Sequence, residues 1–281
     1  MNPFYIYNKA LNDEKNEKWE ASYIKIDDML IPRSISHHTS FSTGKDTLNS
    51  AVFSWNAWKL YKNNDNYYIP YHFHDSITSH EKNLVKYVMD MISNNTCVGF
   101  IERTDHKKYI NVTSIKDGCF ANVGILSNEN ILNLNRNGCF TVPTIAHELL
   151  HIIGLYHEHM RFDRNFYVYI HEENIMDDQK VNFQIQYAPF ASAYRVPYDY
   201  TSIMHYPENA FSIDPHKITI QTLDPNYQKI IGHASYPSKL DYKKVCKIYQ
   251  CRECSSSKLT IHLPLFFFIF LTYKIISSFL Y

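Results

Sequence analysis

The sequence predicts an α+β fold, and three stretches carry that expectation. HEKNLVKYVMDMISNN (80–95) sets Leu84, Val88, Met91 and Ile92 on one helical stripe, with Lys82, Lys86 and Asp90 elsewhere, as in a helix packed on a core. CVGFIE, KYINVT, FANVGIL and NILNLN follow as short runs separated by turn residues, the pattern of a twisted sheet packed on helices. HELLHIIGLYHEHMRFDR, from His147 to Arg164, then reads as a second helix that ends at a glycine.

At 281 residues, 45% of them hydrophobic, the chain can bury a sizeable core in one or two domains. Its zero formal net charge gives no electrostatic ground for a nucleic-acid partner.

The third stretch carries chemistry. His147 and His151 stand four apart and leave a helix on the same face, so two imidazoles can reach one ion. Against the bland reading, a pair of solvated or core histidines, stands Glu148. A carboxylate next to the first ligand can take a proton from water at an open coordination position, where zinc brings the water pKa down to about 7. Gly154 is free to adopt positive φ, ending the helix and turning the chain so that His157 swings back to the ion. Three neutral nitrogens with one position left open make a catalytic zinc site, not a closed structural one. His159 and His205 do not fit this spacing and read as solvated or hydrogen-bonded side chains. Arg161, Asp163 and Arg164 read either as surface charges or as ion-pairing residues beyond the zinc loop.

HExxHxxGxxH is the metzincin pattern, which also requires a methionine turn downstream. Ser202-Ile203-Met204-His205-Tyr206 supplies it. Taken together, HExxHxxGxxHExxRxDR and SxMHY resemble the astacin family of zinc endopeptidases. The likeness runs from YYIPYHF through RNGCFTVPTIAHE and YDYTSIMHYPENAFS to DYKKVCKIYQC, roughly residues 56 to 251. It implies a metzincin-type catalytic domain, with a twisted mixed sheet and the zinc helix in the N-terminal half, an irregular C-terminal half, and a deep cleft between. It also implies one zinc ion on His147, His151 and His157, with Glu148 as catalytic base. Tyr206 would be a fifth ligand that swings away to hydrogen-bond the oxyanion, and Met204 an apolar floor beneath the imidazoles. Glu158 would hold the mature amino terminus. NILNLN would lie antiparallel at the cleft edge, where a protein or peptide substrate adds as an extended strand. IKIDDMLIPRS resembles the stretch by which astacin pro-segments place an aspartate on zinc, which makes Asp28 the latency ligand. The family has Gly-Asp where this chain has Asp27-Asp28, and two solvated acids before an apolar trio is the plain alternative. Ile231-Gly232-His233-Ala234 stands where many relatives carry an arginine that selects acidic side chains.

Six cysteines, with no CxxC pair upstream of position 246, fit disulfides formed in an oxidising compartment. Six allow about fifteen connectivities. The family resemblance implies Cys97 with Cys251 and Cys119 with Cys139. Cys246 and Cys254 either pair with each other, or Cys254 takes the place of Cys251. Asn94-Asn95-Thr96 and Asn111-Val112-Thr113 are glycosylation sequons.

Residues 1–55 read as a pro-segment and linker, 56–254 as the catalytic domain and 255–281 as a hydrophobic tail. The first twenty residues lack the basic start and apolar run of a secretory signal; either the chain is cytoplasmic or its start is incomplete or processed. The mature start aligns near Asn56 or Ala57, with Ser54-Trp55 where relatives have a basic residue. The tail LTIHLPLFFFIFLTYKIISSFLY (259–281) is long enough to cross a bilayer, although Pro264 and Lys274 interrupt it. With Ser255-Ser256-Ser257 it also fits a lipid-anchor signal that is removed; packing on the domain and cleavage are the other outcomes.

The reading is a secreted or surface-held zinc endopeptidase made as a latent precursor. Two rivals make different predictions. A binding protein that keeps the fold and metal but stays plugged has no use for Glu148 and Tyr206. A zinc-stabilised structural module needs a fourth fixed protein ligand.

Overall fold

The computed structural model describes residues 23–32, 57–186, 195–252 and 254, and its main sheet is built around NYYIPYHF. This stretch is β4 (Asn66–Phe73), with Ile69, Pro70 and Tyr71 buried. It runs parallel to β5 (Val98–Glu102) and to β6 (Tyr109–Thr113), and the short β3 (Lys62–Asn63) folds back onto its start. β8 (Glu129–Leu134) lies parallel to β6, and β7 (Cys119–Asn122) lies antiparallel to β8. Two further strands, β1 (Tyr23–Ile26) and β2 (Met29–Pro32), form a hairpin that joins parallel to β7, with Met29 opposite Ala121 and Leu30 opposite Asn122.

Two sequence expectations about this layer are corrected. NILNLN is not at the edge: β8 is paired on both sides, consistent with the burial of Asn130, Leu132, Asn133 and Leu134. The antiparallel strand bordering the site is β7. It is shorter than FANVGIL suggested, and Gly124, at φ +67°, turns the chain just beyond it.

The first helix, α1 (Ser79–Asn95), buries Val85, Val88, Met89 and Ile92, whereas Leu84 and Met91 flank that face half-buried. The buried face keeps Val88 and Ile92 of the expected stripe but is turned toward Val85 and Met89, by less than the ~100° that separates successive residues. Its N-terminus is a capping box between Thr78 and Glu81, and Glu81 is also clamped by Arg136, Nε to Oε1 at 2.8 Å. This ties α1 to the loop after β8.

The second helix, α2 (Val142–Ile153), starts on a Thr141 cap with Pro143 in its first turn and is buried along most of its length. Its last carbonyls are satisfied from far away in sequence: Trp58 Nε1 donates to Ile152 O and the Tyr249 hydroxyl to Ile153 O, both at 2.9 Å. Tyr249 belongs to α3 (Lys239–Tyr249), which returns to the first core through Tyr242, Val245, Ile248 and Tyr249.

Between α2 and α3 the chain is mostly 3₁₀ turns and loops with one short ribbon, β9 (Val168–Ile170) and β10 (Ile220–Thr222). This half has its own core of Val168, Ile175, Phe183, Tyr198, Tyr206, Ile220 and Ile231. A third cluster joins the hairpin to the rest through Ile26, Met29, Ile31, Val123 and Met160.

Cys97 is bonded to Cys251 and Cys119 to Cys139. Cys246 is bonded to Cys254, the first of the two arrangements open to them in the sequence. Among the described residues no helix is long and apolar enough to cross a membrane. The tail 259–281, the residues before 23 and the Ser54-Trp55-Asn56 junction lie outside the described residues.

Glu81 gives a pH test of the α1 clamp. Its hydrogen bond with Arg136, together with the Thr78 bonds, holds its carboxyl at about 2 against an ordinary 4.5. A depressed folded-state value stabilises above the unfolded value and loses that stabilisation as pH falls toward the folded one. Wild type should therefore exceed Glu81→Gln in unfolding free energy at pH 6, and denaturant titrations should show the gap closing between about pH 4.5 and 2.

Candidate metal centre and active site

His147 and His151 leave the last turns of α2, and Gly154 ends the helix at φ +121° with its N–H bonded to His151 O and Leu150 O. No atom lies within 4 Å of where a Cβ would stand on Gly154, so the backbone angle and not space calls for glycine there. The turn carries His157 back, and the three Nε2 atoms stand 3.1 to 3.2 Å apart. The carboxylate of Asp28, from the turn between β1 and β2, completes the group at 3.0 Å from His147 and His157 and 3.3 Å from His151. These four are the set of histidine and carboxylate side chains, among the described residues, that could hold a metal ion.

The protonation pattern tests the fit. His147 Nδ1 lies 2.8 Å from Ile203 O and His151 Nδ1 2.7 Å from Leu155 O. A carbonyl can only accept, so in these rings Nδ1 carries the hydrogen and the neutral Nε2 presents a lone pair. Two such lone pairs, the third imidazole and the buried Asp28 Oδ1, which accepts no hydrogen bond, all face one point. A tetrahedral ion with Zn–N near 2.0–2.1 Å has edges of about 3.3 Å, close to the separations here. The residues fit zinc.

Electrostatics favour the neutral form of two of the three imidazoles. Burial lowers His151, and it lowers His157 to about 4. Burial also acts downward on His147, but Asp28 and the Ile203 carbonyl together hold it above its ordinary value. For Asp28 the upward effect of burial is outweighed by the three imidazoles, and its carboxyl sits well below the usual range. Glu148 is 1% exposed, and burial, with Asp28 and Asp27 nearby, pushes it well above the carboxylate range. Its Oε2 has no hydrogen-bond partner.

A relay from α3 orients the first ligand. Asp241, the N3 residue of the Ser238 capping box, accepts from Ser202 Oγ at 2.5 Å and from Ile203 N at 3.0 Å, and Ile203 O in turn holds His147. Met204 is fully buried, and its carbonyl accepts from Glu158 N at 2.8 Å. The Tyr206 ring packs 4.6 Å from His157 and 4.0 Å from His159, and its hydroxyl donates to Asp27 Oδ2 at 2.5 Å.

His159 and His205 are both buried: His159 Nε2 bonds Asn182 O and His205 Nε2 bonds the Tyr198 hydroxyl. Neither is solvated. Arg164 reaches the carbonyls of His159 and Phe183, while Arg161 forms a two-pronged pair with Asp163. The sequence reading had no role for Asp27, Lys244, Asp241 or the two carbonyls. Only Asp241 left a visible signal, the S-x-x-D capping pattern.

Glu158 is 2% exposed and fully engaged, by Lys244, by Arg161 at 3.1 Å and by the Asp199 amide at 2.9 Å. This network joins the zinc loop to α3. Removing one charge from it strands the others without solvent, a loss of about 3 to 5 kcal/mol. Glu158→Gln should lower the unfolding free energy by that amount in urea, and Lys244→Met with Glu158→Gln should lose less than the two singles summed.

The model of the Astacin peptidase family matches residues 56–250. The chain is 40% identical over 211 residues to zinc metalloproteinase nas-5 of Caenorhabditis elegans, covering 74% of this chain and 58% of that protein. It is 36% identical to the low choriolytic enzyme of Oryzias latipes, covering 65% of each. It thus spans less than two thirds of the length of these relatives. Among solved structures, high choriolytic enzyme 1, a hatching enzyme zinc-protease from the medaka Oryzias latipes, superposes with a TM-score of 0.66 at 34% identity, covering 71% of this chain and 96% of that one. With its histidine triad, Met turn and mixed sheet in these positions, the chain belongs to the astacin family.

Proposed function

We propose that this chain is a zinc endopeptidase, made as a latent precursor, that hydrolyses peptide bonds in extracellular proteins. The observation that carries the reading is the convergence of His147, His151 and His157 on one point beside an unpartnered Glu148 oxygen. His147, His151 and His157 would hold the ion. Once bound, zinc polarises the scissile carbonyl and lowers the pKa of water. Glu148, next to the first ligand in the chain and with an oxygen free of other partners, would take the proton from the attacking water and deliver it to the leaving amine. The Tyr206 phenol, once clear of Asp27, can donate to the oxyanion.

The substrate would lie extended along β7 and the residue after it, where the amides of Ala121 and Val123 now donate to Asp28 O and Leu30 O. The β1–β2 hairpin thus holds both the strand position and the fourth position at the histidines, supporting residues 1–55 as pro-segment and 56–254 as catalytic domain. The three disulfides support an oxidising, extracellular setting.

The test is cleavage of a denatured protein substrate by the activated enzyme. Glu148→Ala should lower kcat by about 10²- to 10⁴-fold with the fold retained, and chelation should abolish cleavage until zinc is restored. In the uncut precursor, Asp28→Ala should raise cleavage above wild type. A folded, zinc-loaded enzyme without cleavage would instead favour a binding protein.

A further inference from the structure

The hairpin touches the site twice, and Asp28 accounts for only one contact. Asp27 stands beside it at φ +54°, a backbone region that glycine enters at no steric cost and most side chains avoid. The turn itself would be served by glycine. A side chain is nonetheless kept there, and its Oδ2 accepts from the Tyr206 hydroxyl at 2.5 Å. The Tyr206 ring is packed against His157 and His159, with Phe183 and Phe211 at 5.8 and 5.6 Å. Neither partner is a flexible surface group. Tyr206 is 6% exposed, so its bond to Asp27 forms where little water competes for either partner.

We propose that Asp27 is a second latch of the latent state, binding the Tyr206 hydroxyl and so holding the hairpin on β7 independently of the Asp28 contact with the histidines. The inference rests on the reading of this hairpin as a latency segment. While the bond lasts, the phenol is also withheld from any other acceptor. Removal of the hairpin would free the fourth position and the phenol in one event.

The test uses the zinc-loaded, full-length chain and reads docking, not activity. Amide exchange at Ala121 and Val123 reports the hairpin directly, because their N–H groups donate to Asp28 O and Leu30 O at 2.8 and 3.2 Å. Tyr67 N–H, bonded to Cys97 O in the sheet, serves as the folding control. Asp27→Gly keeps the turn and removes the carboxylate; Tyr206→Phe removes only the hydroxyl. Each should speed exchange at Ala121 and Val123 about 10- to 100-fold, the range for leaving a buried hydrogen-bonding partner unsatisfied, with Tyr67 unchanged. The double variant should exchange no faster than the quicker single, whereas Asp27→Gly with Asp28→Ala should multiply. If Asp28→Ala speeds exchange and Asp27→Gly does not, or if Asp27→Gly and Tyr206→Phe multiply, the second latch is overturned while the latency reading stands. If neither aspartate variant changes exchange, both fall.

Discussion

Three imidazole nitrogens held about 3 Å apart, two of them with their hydrogens committed to carbonyls on the far side of the ring, repel one another unless positive charge lies between them. The rest of the molecule can be read as what makes this arrangement tolerable without metal and selective with it. Gly154 turns the third ring inward, Leu155 O and Ile203 O aim the first two, and the folding free energy of two cores keeps the rings from relaxing apart. Metal affinity and fold stability are therefore coupled here.

Helix ends do much of the positioning. The start of α3 has a capping-box carboxylate that also grips the Met turn, while the end of α2 has its carbonyls met by Trp58 and Tyr249. Groups that any helix must satisfy are thus used to fix the two halves of the chain against each other. The buried Glu158 set adds a charged joint between zinc loop and α3, in which each member depends on the others for the loss of water.

The residues legible in sequence were those whose geometry is local. A four-residue histidine spacing and a glycine three positions later determine directions within two helical turns, and the Met turn is a contiguous pentapeptide. Sheet order is not local, and NILNLN was misplaced because its apolar pattern fits an edge or an interior strand alike until its neighbours are known. The α1 face departs from the expected stripe at Leu84 and Met91 for a related reason: apolar residues fill more of its circumference than one stripe, and only contacts show which are central. Lys244 and Asp27 were invisible as partners because each meets its counterpart across a long sequence separation, Asp27 lying 179 residues from Tyr206. Asp241 could have been found from its capping pattern, though not its grip on Ser202.

The parallel pairing of β2 with β7 has a further consequence. A sheet that ends in a strand with unused amides is an open template, able to recruit any extended chain, including another copy of itself. As long as the hairpin is in place that border is covered, and Lys25 of β1 adds a contact of its own, its ammonium 4.2 Å from the centre of the Phe120 ring on β7. One short segment therefore makes both the contact that reaches the histidines and the contact that covers this border of the sheet.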